Sequence, residues 1–312
     1  MKLEILTVAA VLSLVSAQSA IASDSVVIRD AAARVVVIAE ARNDIQVSVQ
    51  PGRKSLPPMH VSREGDRVIV DGGLGYRIKG CGYSSFSFGD LFHHQRHEHQ
   101  ERGGVTVSGI GHIRRDELPL ITVRVPYDAK VEAGGAVFGQ VSPTRNLQLA
   151  VSGCGDWKVS DVQSALDLSA SGSGDVAGHH VGTLHAALSG SGDLVLDRVD
   201  GMAQVRVSGS ADVRIASSRG LQSQVQGSGD IHLGHVDGPI HSQVAGSGDV
   251  EIEGGQAPEV DVQLAGSGDF HFGGNAGSVT ASVAGSGDVV IAHAAGPVSQ
   301  SRAGSGEIHI GR

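Results

Sequence analysis

The chain has 312 residues, enough for one or two domains, and its 45 glycines are about twice the usual share. Hydrophobic residues make up 40% of the chain, which excludes a disordered protein and predicts a folded core. The net charge of −9 disfavours nucleic acid and anionic membrane as partners, and an aromatic content of 3% favours thin β-structure over a sugar-stacking groove.

The chain begins with the pattern of a secretory signal peptide over residues 1–22. A lysine precedes an apolar run over residues 5–17, and the small residues at 20–22 form a cleavage site. A membrane anchor is the alternative, but the apolar run is shorter than the ~20 residues that cross a bilayer. No later segment is long or apolar enough to span a membrane. We therefore expect an exported mature chain of residues 23–312, which is periplasmic, associated with the outer surface or secreted.

Residues 23–132 contain strand-like runs without a regular repeat, and we expect an irregular β segment there. A polar, histidine-rich stretch near residues 84–104 interrupts this segment. If the stretch were helical, two of its histidines would share a face and could bind Zn²⁺ or Cu²⁺. The alternative is a solvated loop without a specific metal site. The candidate metal ligands are His93, His94, His97 and His99.

One four-residue motif, Gly-Ser-Gly-Asp with three variants, occurs nine times in the remaining chain. Successive acidic residues of the motif are 18 to 20 residues apart. A fixed period of this length is typical of solenoid proteins. The acids of the motif are Asp156, Asp175, Asp193, Asp212, Asp230, Asp249, Asp269, Asp288 and Glu307.

Apolar residues alternate with polar ones on both sides of the motif, which indicates strands with one face inward. The first and third residues after the acid are usually apolar, as Ile231 and Leu233 are, and so is the fifth residue before it, as Val225 is. Glycines between the two strands predict a turn in most coils, at Gly182, Gly201, Gly220, Gly238, Gly277 and Gly296.

Two or three short strands per 19 residues predict an all-β fold, a single-stranded parallel β-helix over residues 133–312. The spacing does not fix the handedness, and we expect a right-handed helix. A β-propeller is the alternative, but its blades need about 40 or more residues and four strands.

The two cysteines, Cys81 and Cys154, both lie between glycines. Because an exported chain folds in an oxidising compartment, we predict a disulfide between them. The alternative is two separate buried thiols. A catalytic cysteine has little support, since no histidine neighbours either residue in the sequence.

Stacked coils would place the repeat acids in a ladder with like charges about 4.8 Å apart, which repel one another. We expect solvent and local backbone N–H groups of the glycine turn to relieve this repulsion, so that the acids are structural. Calcium binding is the alternative, but calcium-loaded β-rolls repeat every nine residues with a different motif. We predict no cofactor and no catalytic residue.

An exported chain with early strands, the strand-like segment Leu118–Val123 and serial Gly-Ser-Gly-Asp coils resembles the bacterial family of putative autotransporter adhesins with a head GIN domain. The resemblance covers essentially the whole mature chain, and it implies a β-helical fold and an adhesin-like role at the cell envelope. We accordingly expect a non-enzymatic protein that binds a surface polymer, a glycan or an envelope protein.

Two other functions remain open for such a chain. One is a structural or assembly protein of the envelope. The other is a polysaccharide lyase or glycosidase, which would need paired carboxylates in an elaborated cleft with aromatic platforms.

Overall fold

The computed structural model describes residues 25–54, 56–82 and 103–312. The predicted signal peptide and the four candidate metal ligands His93, His94, His97 and His99 lie outside these ranges. The described residues form strands and two 3-10 turns, at Gly75–Arg77 and Arg115–Glu117. No helix in these ranges is long and apolar enough to cross a bilayer. The strands are β1 (Ser25–Ala39), β2 (Gln46–Gln50), β3 (His60–Glu64), β4 (Arg67–Asp71), β5 (Ile78–Gly82), β6 (Gly104–Val107), β7 (Gly111–Arg114), β8 (Leu120–Val125), β9 (Asp128–Val141), β10 (Thr144–Cys154), β11 (Trp157–Val159), β12 (Val162–Gly172), β13 (Val176–Gly190), β14 (Leu194–Val199), β15 (Ala203–Gly209), β16 (Val213–Ser218), β17 (Leu221–Gly227), β18 (Ile231–Asp237), β19 (Ile240–Gly246), β20 (Val250–Gly266), β21 (Phe270–Gly285), β22 (Val289–Ala294), β23 (Val298–Gly304) and β24 (Ile308–Ile310).

The repeats form a parallel β-solenoid of about ten turns, with about 19 residues in each coil. Each strand of the solenoid's interior pairs in parallel with the strand one coil before it and the strand one coil after it. Strand β17, for example, pairs with β15 and β19, and Gln222 is aligned with Gln204 on one side and with His241 on the other. The predicted all-β parallel β-helix is therefore confirmed, and its right-handedness stays a prediction.

The core is a continuous column of aliphatic and aromatic side chains inside the coils. The residues directly after the acids, such as Ile231, Val250 and Phe270, are aligned with one another and buried. Because strand side chains alternate with a period of two, this register brings every inward residue onto an inward neighbour. Burying one such side chain contributes roughly 1.5–3 kcal/mol. The apolar alternation of the sequence therefore fixes the coil register.

Parallel stacking also extends upstream of the motif-bearing coils. Strand β1 pairs in parallel with β9 on one side, and with β4 and β8 on the other. Antiparallel strands then cover that end, because β3 pairs with β4 and β2 pairs with β8. Covering an edge in this way protects a parallel sheet from pairing with another chain.

A separate antiparallel sheet of β5, β6 and β7 packs on the side of the first coils. Its small core joins Val105, Val107 and Ile113 to Phe138 of the solenoid strand β9. The side sheet lies close to the first repeat acid, Asp156, through the 3-10 turn that follows β7.

The second corner of the coil, between the two strands, is less uniform than the sequence predicts. Gly182 and Gly277 lie inside the continuous strands β13 and β21, whereas Gly238 lies in a bend between β18 and β19. The backbone stays hydrogen-bonded between coils through this corner, since Gly201 N–H donates to the Gly182 carbonyl oxygen at 2.7 Å. The chain therefore changes direction there without a conventional turn.

The first glycine of the motif allows successive turns to approach closely. The Gly227 carbonyl oxygen accepts N–H bonds from Ser247 at 2.9 Å and from Gly248 at 3.2 Å in the next coil. Gly246, directly above it, has a φ of +145°, and a Cβ there would overlap the Gly227 carbonyl oxygen. Glycine is thus required at this position for both conformation and space.

We predict that Gly246→Ala destabilises the protein by at least about 2 kcal/mol, because alanine is strained at this φ and its methyl group collides with the adjacent turn. Urea unfolding of the purified protein measures the change. Gly254→Ala is the matched control, since no atom lies within 4 Å of a Cβ at Gly254. The control should change stability by no more than about 0.5 kcal/mol. Equal losses in the two variants would contradict the close-approach explanation.

Candidate functional site

The repeat acids lie at one corner of the solenoid and are linked from coil to coil. In each aspartate, Oδ1 accepts the backbone N–H of the acid one coil further on. The Asp230 carboxylate, for example, accepts the Asp249 N–H at 2.8 Å. The donor and acceptor atoms are 2.7 to 3.4 Å apart along the ladder, in the pairs Asp156–Asp175, Asp175–Asp193, Asp193–Asp212, Asp212–Asp230, Asp230–Asp249, Asp249–Asp269, Asp269–Asp288 and Asp288–Glu307.

These bonds run between coils, whereas the sequence suggested bonds within each turn. The backbone carbonyl of each acid accepts from the coil before, as Asp193 does from Val176 N–H at 2.8 Å. The N–H of the acid, by contrast, is bonded to a carboxylate and not to a backbone carbonyl. A backbone donor near the core needs an acceptor. The carboxylate therefore continues the hydrogen-bond ladder across the turn.

The first acid of the ladder has a cationic partner from the side sheet region. Arg115 Nη2 lies 3.1 Å from Asp156 Oδ2, and both side chains are largely buried. The guanidinium carbon of Arg115 also lies 4.2 Å from the ring centre of Phe138. This ion pair compensates the charge at the start of the ladder, and the sequence gives no direct signal for it.

The carboxyl groups that follow are less well compensated. The pKa of Asp175 is raised to about 6. Burial is the main cause, the Asp193 backbone N–H opposes it, and the charges of Asp156 and Asp193 contribute to the rise in pKa. Burial also raises the pKa of Asp193. The folded chain therefore holds a proton on Asp175 more tightly than the unfolded chain does, and folding becomes less favourable as the pH rises from about 4 to about 6.

The two cysteines form the predicted disulfide. Cys81 in β5 and Cys154 in β10 are bonded, with their Cα atoms 5.7 Å apart. The bond closes a loop across a sequence separation of 73 residues and joins the side sheet to the coils. A crosslink over such a loop stabilises by about 4 kcal/mol in the chain-entropy treatment.

Histidines on the outer side of the strand that follows the motif are paired with carboxylates. His179 Nδ1 lies 2.8 Å from Asp197 Oδ2, and His180 Nε2 lies 2.6 Å from Asp200 Oδ2. His232, whose strand position is aligned with Glu251, is 3.1 Å from Glu253. No group of three or more metal-binding side chains occurs among the described residues.

On four adjacent strands of the other outer sheet, six outward glutamines form a surface that we call the glutamine face. They lie on β15, β17, β19 and β20 at outward positions before the motif. None of their side-chain amides is hydrogen-bonded to another residue in the part of the chain that the structure describes. The inward periodicity of those strands does not reveal this face, because its residues occupy the alternate, outward positions. The six residues are Gln204, Gln222, Gln224, Gln226, Gln243 and Gln263.

A shallow depression lies in the glutamine face. Its outward lining is polar and contains no phenylalanine, tyrosine or tryptophan side chain. The lining residues that reach outward are Gln204, Arg206, Gln222, Gln224, His241 and Gln243.

The stacked coils and their linked acids define a parallel β-solenoid protein built from Gly-Ser-Gly-Asp repeats. A family model described as "Putative auto-transporter adhesin, head GIN domain" matches residues 112–235 and 235–311, which together are more than half of the chain. The chain belongs to this family.

No curated protein matches the chain. Among solved structures, one titled as a putative lipid binding protein from Parabacteroides distasonis is similar over 93% of each chain. The sequence identity is 13% and the TM-score is 0.37. At this TM-score the similarity supports no conclusion about fold or ligand.

We predict that Asp175→Asn stabilises the protein at pH 7.5 by about 1–2 kcal/mol, allowing for partial exposure of the side chain to solvent. The side-chain oxygen of asparagine can still accept the Asp193 N–H. The substitution also removes the negative charge that burial disfavours. The gain should disappear near pH 4, where Asp175 is protonated in the folded protein. Thermal melts at both pH values measure this difference.

Asp230→Asn is the control, because Asp230 makes the same bond to the next coil but is exposed. It should change the Tm by no more than about 2 °C at either pH. A stabilisation by Asp175→Asn that is equal at pH 4 and pH 7.5 would show that the charge of Asp175 is not its cause.

Proposed function

We propose that the protein is an exported, non-enzymatic binding module of the bacterial cell envelope, which holds a surface polymer on the outside of its solenoid. The family's description as the head domain of an adhesin supports this role. The main support for the proposal is the glutamine face, where glutamine side chains on adjacent coils have no hydrogen-bond partner among the described residues.

The arrangement of the carboxylates argues against glycoside hydrolysis. Neighbouring ladder acids are about 4.8 Å apart, close to the spacing of a retaining glycosidase. However, these acids are stacked at a turn where a substrate cannot enter between the coils, and one oxygen of each aspartate is bonded to backbone N–H. Coils of 18 to 20 residues also leave no long insertion to build cleft walls around the ladder.

The geometry of the outer sheet suits a repetitive ligand. Outward side chains recur at about 4.8 Å across the strands and at about 6.6 Å along each strand. A polymer that lies on such a grid can make many weak contacts at once. Multiple contacts of this kind give a high overall affinity without a deep pocket.

The proposal is tested by cell fractionation and by sedimentation of the purified mature chain with envelope polymers from the same bacterium. We expect the protein in the envelope or secreted fraction, saturable co-sedimentation with an insoluble polymer, and no release of new reducing ends from that polymer. Inert particles and heat-unfolded protein are the controls. Cytosolic location, equal sedimentation with inert particles, or cleavage of the polymer would contradict the proposal.

A further inference from the structure

We propose that the glutamine face, together with Arg206, binds a strand of acidic polysaccharide, a hydroxyl-rich polymer that carries carboxylate groups. This inference rests on the proposed function, because it names the ligand class and the part of the surface that would bind it.

The strand register places these side chains in two parallel columns. Arg206 in β15 is aligned with Gln224 in β17, which is aligned with Gln243 in β19 and through it with Gln263 in β20. The adjacent column, about 6.6 Å away along the strands, aligns His185, Gln204, Gln222, His241 and Asp261 in successive coils. The columns therefore form a row of polar groups about four coils long.

The chemistry of this row matches hydroxyl groups. A glutamine side chain offers two N–H donors and a carbonyl acceptor, and a sugar hydroxyl both donates and accepts. Because the amides are uncharged, a ligand can contact them without the large cost of desolvating ions. Their lack of partners within the described residues means that no internal bond must break when a ligand binds.

Arg206 supplies a local preference for a carboxylate, although the net charge of −9 on the whole chain opposes a polyanion at long range. The arginine is exposed, and no ion pair or side-chain hydrogen bond of Arg206 occurs among the described residues. Several other arginines of the solenoid are paired, as Arg198 is with Asp200 at 2.8 Å and Arg145 with Asp128. A guanidinium group binds a carboxylate through two parallel hydrogen bonds. An unpaired arginine beside a depression lined by amides thus fits a uronic acid residue.

Charges near Arg206 do not compete for it. Two coils before Arg206, Asp167 is already 2.9 Å from His185, which lies on the coil between them. Asp261, the acid at the far end of the adjacent column, is three strands from Arg206. A ligand carboxylate would therefore bind at the Arg206 end of the row, with neutral hydroxyl groups over the glutamines.

Titration calorimetry with oligomers of polygalacturonate tests the inference. We expect Arg206→Gln to weaken binding by about tenfold or more, since a charge-assisted pair is lost. The double variant Gln224→Ala with Gln243→Ala should weaken binding about fivefold. Both variants alter outward side chains, of which Gln224 is half-buried and the others are exposed. Their melting temperatures should therefore match that of the unaltered protein and show that they are folded.

Arg219→Gln is the matched control for charge. Arg219 is also exposed, lies in the bend between β16 and β17, and does not line the depression. The control should bind polygalacturonate within about twofold of the unaltered protein, because it changes the net charge equally but removes no contact. Equal losses from Arg206→Gln and Arg219→Gln would overturn the proposed site.

Two further polymers test whether the protein recognises an acidic polysaccharide or only negative charge. Neutral dextran should bind much more weakly than polygalacturonate. Polyphosphate that binds as tightly as polygalacturonate, without dependence on Gln224 and Gln243, would overturn the polysaccharide assignment. If the protein binds its own envelope material but not polygalacturonate, the inference fails and the proposed function stands. If it binds neither, both fail.

Discussion

Successive coils of this solenoid can stack only because their glycine turns approach to the spacing of parallel strands, about 4.8 Å. At the turn, a side chain on Gly246 would occupy the position of the Gly227 carbonyl oxygen, so that the next coil could not pair. The same turn leaves the N–H of the following acid without a backbone acceptor, and the carboxylate of the previous coil fills this gap. The motif therefore combines a requirement for space with a requirement for a hydrogen-bond acceptor.

This arrangement has an electrostatic cost, because it brings like charges into one line. The cost is reduced by the N–H bonds to the carboxylates, by solvent, and by Arg115 at the first acid. Part of the electrostatic cost remains at Asp175, because its pKa is raised to about 6, mainly by burial. With stacking secured at the turn and in the core, the outward positions of the strands have no structural task. They can carry a binding surface, and the glutamine face uses them in this way in our proposal.

The sequence predicts much of the fold because its main constraints are periodic. Ile231 and Val250 recur at the coil period and alternate with polar residues, which determines both the register and the inward face. The disulfide was also predictable, from the signal-peptide pattern of residues 1–22 and from the two cysteines. The Arg115–Asp156 pair was not, because it depends on how the side sheet packs 41 residues away in sequence. The aligned glutamines could have been found by extending the register to outward positions.

Deletion of one complete coil, Ile231–Asp249, tests the central claim that stacking depends on turn-to-turn contacts between neighbouring coils. The deletion joins Asp230 to Val250, so the Asp230 carboxylate should accept the Asp269 N–H and the strands should stay in register. We predict a cooperatively folded, shorter protein in urea unfolding and a continuous ladder in its crystal structure. Deletion of only residues 231–239 should unfold the protein, because inward side chains would turn outward. Equal unfolding by both deletions would contradict the account.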